Sequence, residues 1–153
     1  MNAPTCTVYE FSRADSIRRT DAEPGSFRVA AKKFPLHVLV VDDEPLIRWS
    51  IVESLADFGI DVEQAADAAS ALRMITTAAL PFDVVVLDLR LPDMHDLSLL
   101  ATLRQLLPGT RFILMTAFGT PDVLTEAALL GATVLNKPFE LDTLADLVAG
   151  DRH

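Results

Sequence analysis

Cysteine, lysine and long apolar runs are all scarce in this chain of 153 residues. The one cysteine, Cys6, excludes an intramolecular disulfide and favours a cytoplasmic location. No apolar run approaches the roughly 20 residues that cross a bilayer, and the N-terminus lacks the apolar segment of a secretion signal. Because half of the residues are hydrophobic, the composition still predicts a globular protein, without insertion into a membrane.

Positive charge is also scarce and is concentrated near the N-terminus. Residues 1–35 hold six Lys or Arg against four Asp or Glu, whereas residues 36–153 hold seven against eighteen. A segment with a net charge of −11 should not bind nucleic acid directly, because the phosphate backbone would repel it. We predict a flexible or disordered extension over 1–35, a folded domain over 36–150 and a short tail over 151–153.

Short apolar segments alternate with amphipathic ones from Leu36 onwards. Strands without polar alternation, separated by helices, indicate a parallel sheet covered on both faces, and right-handed crossovers then give a three-layer α/β domain. The predicted strands cover 36–41, 60–65, 82–87, 111–115 and 132–136. The predicted helices begin at Pro45, Asp67, Asp96, Thr120 and Glu140, and they end near Gly59, Ala78, Leu107, Gly131 and Val148.

The first predicted helix carries a clear apolar stripe. Ile47, Ile51, Leu55 and Phe58 recur every three to four residues, so we expect all four to face the core. Trp49 falls on the opposite face. Three interpretations of Trp49 are open: it contacts a partner protein, it lies flat over its own helix, or it lies under the N-terminal arm.

Polar side chains stand where four of the predicted strands end. Asp42 and Asp43 follow the first strand, Asp88 the third, Thr116 the fourth and Lys137 the fifth. Ligands of parallel sheets bind at the carboxyl ends of the strands, so these five side chains should share one pocket. Lys137 is the only lysine in the predicted domain, which indicates a positive charge placed for a purpose.

This combination of side chains suits phosphoryl transfer. Three carboxylates in one pocket repel each other, which raises the pKa of some of them, and a hard divalent cation relieves that repulsion. Mg²⁺, with Mn²⁺ as a substitute, prefers oxygen ligands and keeps several waters. Beside such an ion Asp88 would attack as a nucleophile, Lys137 would neutralise the oxygens of the transferred group, and Thr116 would donate a hydrogen bond to it.

The same strand ends resemble the motifs of one family, the response-regulator receiver domain of two-component signalling. The matching segments are 40–45 (VVDDEP), 86–93 (VLDLRLPD), 115–117 (MTA) and 137–139 (KPF). Each segment is weak alone, but four of them in order and at suitable spacing make a strong match over about residues 36–148. The resemblance implies a flavodoxin-like fold, a doubly wound sheet of five parallel strands in the order 2-1-3-4-5 with helices on both faces.

The resemblance also implies a role for each site residue. Asp88 would accept a phosphoryl group from a histidine of a kinase or phosphotransfer protein. Lys137, whose bond to Pro138 is typically cis in the family, would pair with the acceptor or the phosphate, and Thr116 would move towards the phosphate. The ligands of Mg²⁺ would be Asp42, Asp43, Asp88 and the backbone carbonyl of Arg90.

The expected partners are proteins. We expect no output domain in this chain, so signalling would run through a conformational change and contacts with a downstream protein that the sequence does not name. A homodimer would be weak at most, because between Arg111 and Arg152 the only cation is Lys137, which is committed to the pocket. The ion-paired dimer common in the family is therefore not expected.

Two departures from the family pattern bear on the switch. Val134 stands three residues before Lys137, where the family often has an aromatic residue, and Asp96 replaces a common glycine. We expect Asp96 to change the loop locally and to keep the fold. Arg90 and Phe118 occupy positions that tune phosphate lifetime in the family, and we hypothesise that Phe118 restricts access of water.

Two other functions are open. A degenerate receiver that works without phosphorylation, purely as an interaction module, is favoured slightly by Val134 and Asp96, and Mg²⁺ binding would distinguish it. A Mg²⁺-dependent aspartyl phosphatase would be expected to carry an acid two residues after its nucleophile, but Arg90 stands there. The chain is therefore expected to be a phospho-acceptor rather than an enzyme that turns over.

Overall fold

The computed structural model describes residues 35–150, and five strands alternate with five helices along them. The strands are β1 His37–Val41, β2 Asp61–Ala65, β3 Val84–Asp88, β4 Arg111–Thr116 and β5 Ala132–Asn136. The helices are α1 Pro45–Ala56, α2 Ala68–Thr77, α3 Ser98–Leu106, α4 Pro121–Leu129 and α5 Leu141–Ala149. The predicted extension and tail lie outside the described residues, apart from Pro35. Within the described part, no helix is long and apolar enough to span a membrane.

All five strands are parallel and lie in the order β2-β1-β3-β4-β5. The predicted doubly wound sheet is therefore confirmed. Every residue of β3 is buried, as expected for a central strand with helices on both faces.

Successive residues of each central strand face opposite sides of the sheet, and each side has its own core. Leu39 and Val85 pack with buried residues of α2, α3 and α4, whereas Val38 and Val84 pack with buried residues of α1 and α5. The helices thus divide three to one face and two to the other. This arrangement holds the carboxyl ends of the strands together at one edge.

The end of α1 differs from the prediction. Ile51 and Leu55 are buried, but the helix ends at Ala56 and Phe58 is 63% exposed, so its placement in the core was wrong. The chain turns at Gly59, which has a φ of +76°, a conformation that glycine adopts without strain. Ile60 then fills the core position that the helical periodicity gave to Phe58.

The start of α3 also differs by two residues, while the start of α2 is as predicted. The Asp67 side chain accepts a hydrogen bond from the backbone N–H of Ser70 and caps α2. Asp96 does not open α3; its carboxylate accepts from the N–H of Ser98 at 2.9 Å and closes a local turn before the helix. The fold is retained with Asp96 at this position, as expected.

At the opposite edge of the sheet, His37 joins three segments. Its ring nitrogens lie 3.1 Å from the Pro81 carbonyl oxygen and 2.6 Å from a Glu63 carboxylate oxygen. The ring also stacks on Phe82 at a centroid distance of 4.2 Å. Both polar partners are acceptors, so both contacts are satisfied only when the imidazole is protonated on both nitrogens.

We predict that this contact makes the stability of the domain fall as the pH rises. Burial opposes the charge on His37, but the hydrogen bonds to Glu63 and Pro81, with the charges of Glu63 and Asp61, raise its pKa above 6.5. Stabilisation is therefore complete below the unfolded-state pKa of 6.5 and is lost as the pH rises through the folded-state pKa.

Urea unfolding at a series of pH values measures this effect. The wild type should lose stability across that window, and His37→Gln, which cannot titrate, should not. Equal slopes for the two proteins would contradict the prediction.

Candidate functional site

The carboxyl edge of the sheet brings the five predicted side chains together. Asp88 and Thr116 are the last residues of β3 and β4, while Asp42 and Lys137 directly follow β1 and β5. Asp42, Asp88 and Thr116 are buried, and Asp43 is exposed. Polar groups buried next to apolar strands require partners, so their contacts define the site.

Lys137 links the two buried carboxylates. Its Nζ lies 3.1 Å from Asp88 Oδ2 and 3.5 Å from Asp42 Oδ2. The backbone N–H of Lys137 donates to the Thr116 carbonyl at 2.8 Å, and the following bond to Pro138 is cis. Burial opposes the ammonium charge, but Asp88 and Asp42 together raise the pKa of Lys137. The ammonium is therefore held positive at this edge.

Three carboxylates form a cluster that fits a hard cation. Asp42, Asp43 and Asp88 each offer an oxygen, and these oxygens lie within 4.8 Å of one another. Burial and the charge of Asp42 raise the pKa of Asp88, while Lys137 and the N–H of Arg90 only partly offset this. Oxygen donors at this spacing, with one side open to solvent at Asp43, are the donor set that Mg²⁺ prefers.

Two loops flank the Asp88 carboxylate. The N–H of Arg90 donates to Asp88 Oδ1 at 3.2 Å, and the N–H of Phe118 donates to Thr116 Oγ1 at 3.0 Å. The Arg90 guanidinium carbon lies 4.7 Å from the centroid of the exposed Phe118 ring. A cation–π contact thus bridges the loops that follow β3 and β4. The Thr116 hydroxyl accepts from Phe118, which leaves its own hydrogen free to donate.

Two polar residues at this edge were not predicted from the sequence. Arg48 of α1 donates from Nη1 to the Asp42 carbonyl at 2.7 Å and so fixes the backbone between β1 and α1. Asp93 accepts from the N–H groups of Ala68 and Ala69 at 2.9 and 3.0 Å, and it ties its loop to the start of α2. Asp93 lay within the family-like segment, but nothing local in sequence points to contacts 24 and 25 residues away.

Val134 keeps a structural place in β5. It is partly buried and packs against the core shared with α2, α3 and α4. The smaller residue is therefore accommodated by packing where the family pattern has an aromatic ring.

The comparisons with known proteins agree on one family. A model described as the response regulator receiver domain matches residues 38–149. Among curated proteins, the chain is 37% identical over 112 residues to the response regulator protein PilR of Pseudomonas aeruginosa, covering 72% of this chain but 25% of PilR. It is 36% identical over 112 residues to sporulation initiation phosphotransferase F of Bacillus subtilis, covering 72% of this chain and 89% of that protein.

Solved structures give the same result. A CheY-like response regulator receiver domain protein of Methanospirillum hungatei superposes with a TM-score of 0.71 at 28% identity, covering 77% of this chain and 94% of that one. Chemotaxis protein CheY4 of Vibrio cholerae superposes with a TM-score of 0.68 at 32% identity, covering 74% and 96%. Fold, motif order and family model thus coincide, and the chain belongs to the response regulator receiver domain family of two-component signal transduction.

Proposed function

We propose that this chain is a phosphorylatable receiver whose acceptor is Asp88. Residues 36–150 would form the receiver domain of a cytoplasmic protein. The observation that carries the proposal is the contact of Lys137 Nζ with Asp88 at 3.1 Å, inside a cluster of three carboxylates. A buried nucleophile, a positive charge beside it and a candidate cation site together support phosphoryl transfer.

The transfer would proceed by in-line displacement. A carboxylate oxygen of Asp88 attacks the phosphorus of a phosphohistidine, the new O–P bond forms as the P–N bond breaks, and the imidazole leaves and takes up a proton. Lys137 neutralises charge on the phosphoryl oxygens, and the Thr116 hydroxyl donates to one of them. The two side chains therefore stabilise the charge that develops during transfer.

Asp42, Asp43, Asp88 and the Arg90 backbone carbonyl would hold Mg²⁺, or Mn²⁺ in its place. When bound, the ion would supply charge stabilisation to the transferring group. The cluster of three carboxylates, whose oxygens lie within 4.8 Å of one another, supports binding of the ion at these residues.

Signalling would follow a change at Thr116. Movement of its hydroxyl towards a phosphoryl group on Asp88 would break the present hydrogen bond from the N–H of Phe118. The loop before α4 would then rearrange and alter a surface that a downstream protein contacts. A histidine kinase or a histidine phosphotransfer protein is the proposed donor.

The geometry weighs against the phosphatase alternative. The side chain two residues after the nucleophile is the Arg90 guanidinium, which stacks on Phe118 and cannot act as a general acid or base near neutral pH.

A phosphorylation experiment distinguishes a phosphorylatable receiver from a degenerate one. Wild type incubated with acetyl phosphate and Mg²⁺ should take up one phosphoryl group, and Asp88→Asn should take up none; uptake by neither protein would favour the degenerate receiver.

Phe118→Ala should shorten the lifetime of the phosphorylated state. Phe118 and Arg90 bridge the two loops beside Asp88, so loss of the ring should admit water to the phosphoryl group more often. The expected acceleration of phosphate loss is about two- to fivefold, the factor that corresponds to an exposed cation–π contact.

The lifetime is measured as decay of phosphoprotein after the donor is removed. Leu129→Ala, which removes an exposed apolar side chain at the end of α4, is the matched control and should leave the decay unchanged. Decay of Phe118→Ala at the wild-type rate would refute this role.

Trp49→Ala should weaken phosphotransfer from a protein donor selectively. Trp49 is 58% exposed and Leu46, three residues earlier on α1, is 73% exposed, so both lie on one accessible helical face. An exposed tryptophan is a common anchor of interfaces, and its loss should slow transfer from a phosphorylated kinase about tenfold. Transfer from acetyl phosphate should stay unchanged.

A suitable control for Trp49 is Leu80→Ala, another exposed apolar residue, 63% exposed. It should affect neither donor. Equal slowing of both donors by Trp49→Ala would show that the tryptophan supports the fold rather than docking.

A further inference from the structure

A cleft of about 450 Å³ opens between α1, the end of β2 and α2. Four polar residues line it: Arg48, Arg73, Gln64 and Ser70. None of these four groups belongs to the acceptor site, although Arg48 also donates to the Asp42 carbonyl. The cleft is therefore a separate feature beside that site.

Both arginines have only neutral hydrogen-bond partners. Arg48 donates to Gln64 Oε1 at 2.9 Å and to the Asp42 carbonyl, and Arg73 donates to Ser70 Oγ at 3.0 Å. Among the described residues, neither guanidinium has a carboxylate within 4.0 Å. This is unusual in a segment whose acids outnumber its bases by eighteen to seven.

Two acidic side chains beside α2 make hydrogen bonds to its backbone. Asp67 accepts from the N–H of Ser70, and Asp93 accepts from the N–H groups of Ala68 and Ala69. Both carboxylates thus make their hydrogen bonds at the start of α2. The Asp67 carboxylate acts on Arg73 through its charge, without forming an ion pair with it. Neither guanidinium group is paired with a carboxylate in the cleft, so a ligand with two negative charges would pair with both.

We propose that this cleft binds an oxyanion of the phosphate type. A dianionic phosphate matches the two positive charges, while a single carboxylate matches only one. Guanidinium groups donate in pairs to phosphoryl oxygens, and the Ser70 hydroxyl and the Gln64 amide add donors of their own.

The test is a titration with inorganic phosphate at mildly alkaline pH, where phosphate is a dianion, in the presence of a chelator of divalent cations. Without such cations the three carboxylates of the acceptor site repel phosphate. Backbone amide shifts of Ser70 and Arg73 in nuclear magnetic resonance spectra should then saturate. Arg73→Gln should weaken binding roughly tenfold by removing a charge-assisted contact, and Arg73→Lys should weaken it less.

Arg104→Gln is the matched control, since it removes the same charge from α3, outside the cleft. It should bind phosphate as the wild type does. Acetate, a monoanion, should bind at least several times more weakly than phosphate. The proposal is overturned if the shifts do not saturate, if Arg73→Gln and Arg104→Gln behave alike, or if acetate binds as tightly as phosphate.

Discussion

Lys137→Met should be phosphorylated by acetyl phosphate at least about a hundredfold more slowly than the wild type. A loss of this size is typical when one preorganised donor to a developing negative charge is removed. Methionine has a similar length but no charge. Lys137 Nζ lies 3.1 Å from the buried Asp88 carboxylate. Without that ammonium, the phosphoryl oxygens and the carboxylates of Asp42 and Asp88 would approach each other with no fixed positive charge between them.

Two controls distinguish a loss of catalysis in Lys137→Met from a loss of folding or of Mg²⁺ binding. Lys137→Met should still bind Mg²⁺, because all three carboxylates remain, and its unfolding midpoint with Mg²⁺ should confirm a folded protein. Lys137→Arg restores the charge with a different shape and should recover part of the rate. A folded Lys137→Met protein that phosphorylates at the wild-type rate would remove Lys137 from the transfer.

Phe112→Ala should lower the free energy of unfolding by about 3–5 kcal/mol. Phe112, the second residue of β4, is 2% exposed and belongs to the core shared with α2, α3 and α4. Its ring also lies 5.3 Å from the Arg104 guanidinium carbon. Truncation leaves a cavity that the close-packed neighbours cannot fill, and it removes this cation–π contact.

Phe58→Ala is the matched control, since it makes the same chemical change at a side chain that is 63% exposed. Its effect should stay within about 0.5 kcal/mol. Urea unfolding gives both free energies. The two values can be compared if the free energy of unfolding falls with urea concentration at a similar slope in both variants. A loss below about 1 kcal/mol for Phe112→Ala would contradict the core derived from the structure.

The contrast between these two phenylalanines shows why the sheet was easier to predict than the helix ends. Runs such as Val84 to Leu87 have no polar alternation, which fixes a central strand and its burial on both faces. Phe58 continued the periodicity of α1, but periodicity cannot show that the chain leaves the helix at Ala56 and lets Ile60 take the core position. Helix ends depend on such local competition.

The placement of the site could be predicted because parallel strands deliver their carboxyl ends to one edge. Asp42, Asp88, Thr116 and Lys137 come together for that reason. Arg48 and Asp93 could not be predicted, because their partners are set by how α1 and the loop after β3 pack, not by nearby sequence.

The most direct test is to locate the phosphoryl group. Wild type and Asp88→Asn are incubated with acetyl phosphate, with and without Mg²⁺, and measured by intact mass. Borohydride reduction then converts any aspartyl phosphate to homoserine for peptide mapping. The wild type with Mg²⁺ should gain one phosphoryl group, mapped to Asp88, and no phosphoryl group should appear in Asp88→Asn or without Mg²⁺. A phosphoryl group at another residue, or equal uptake by Asp88→Asn, would contradict it.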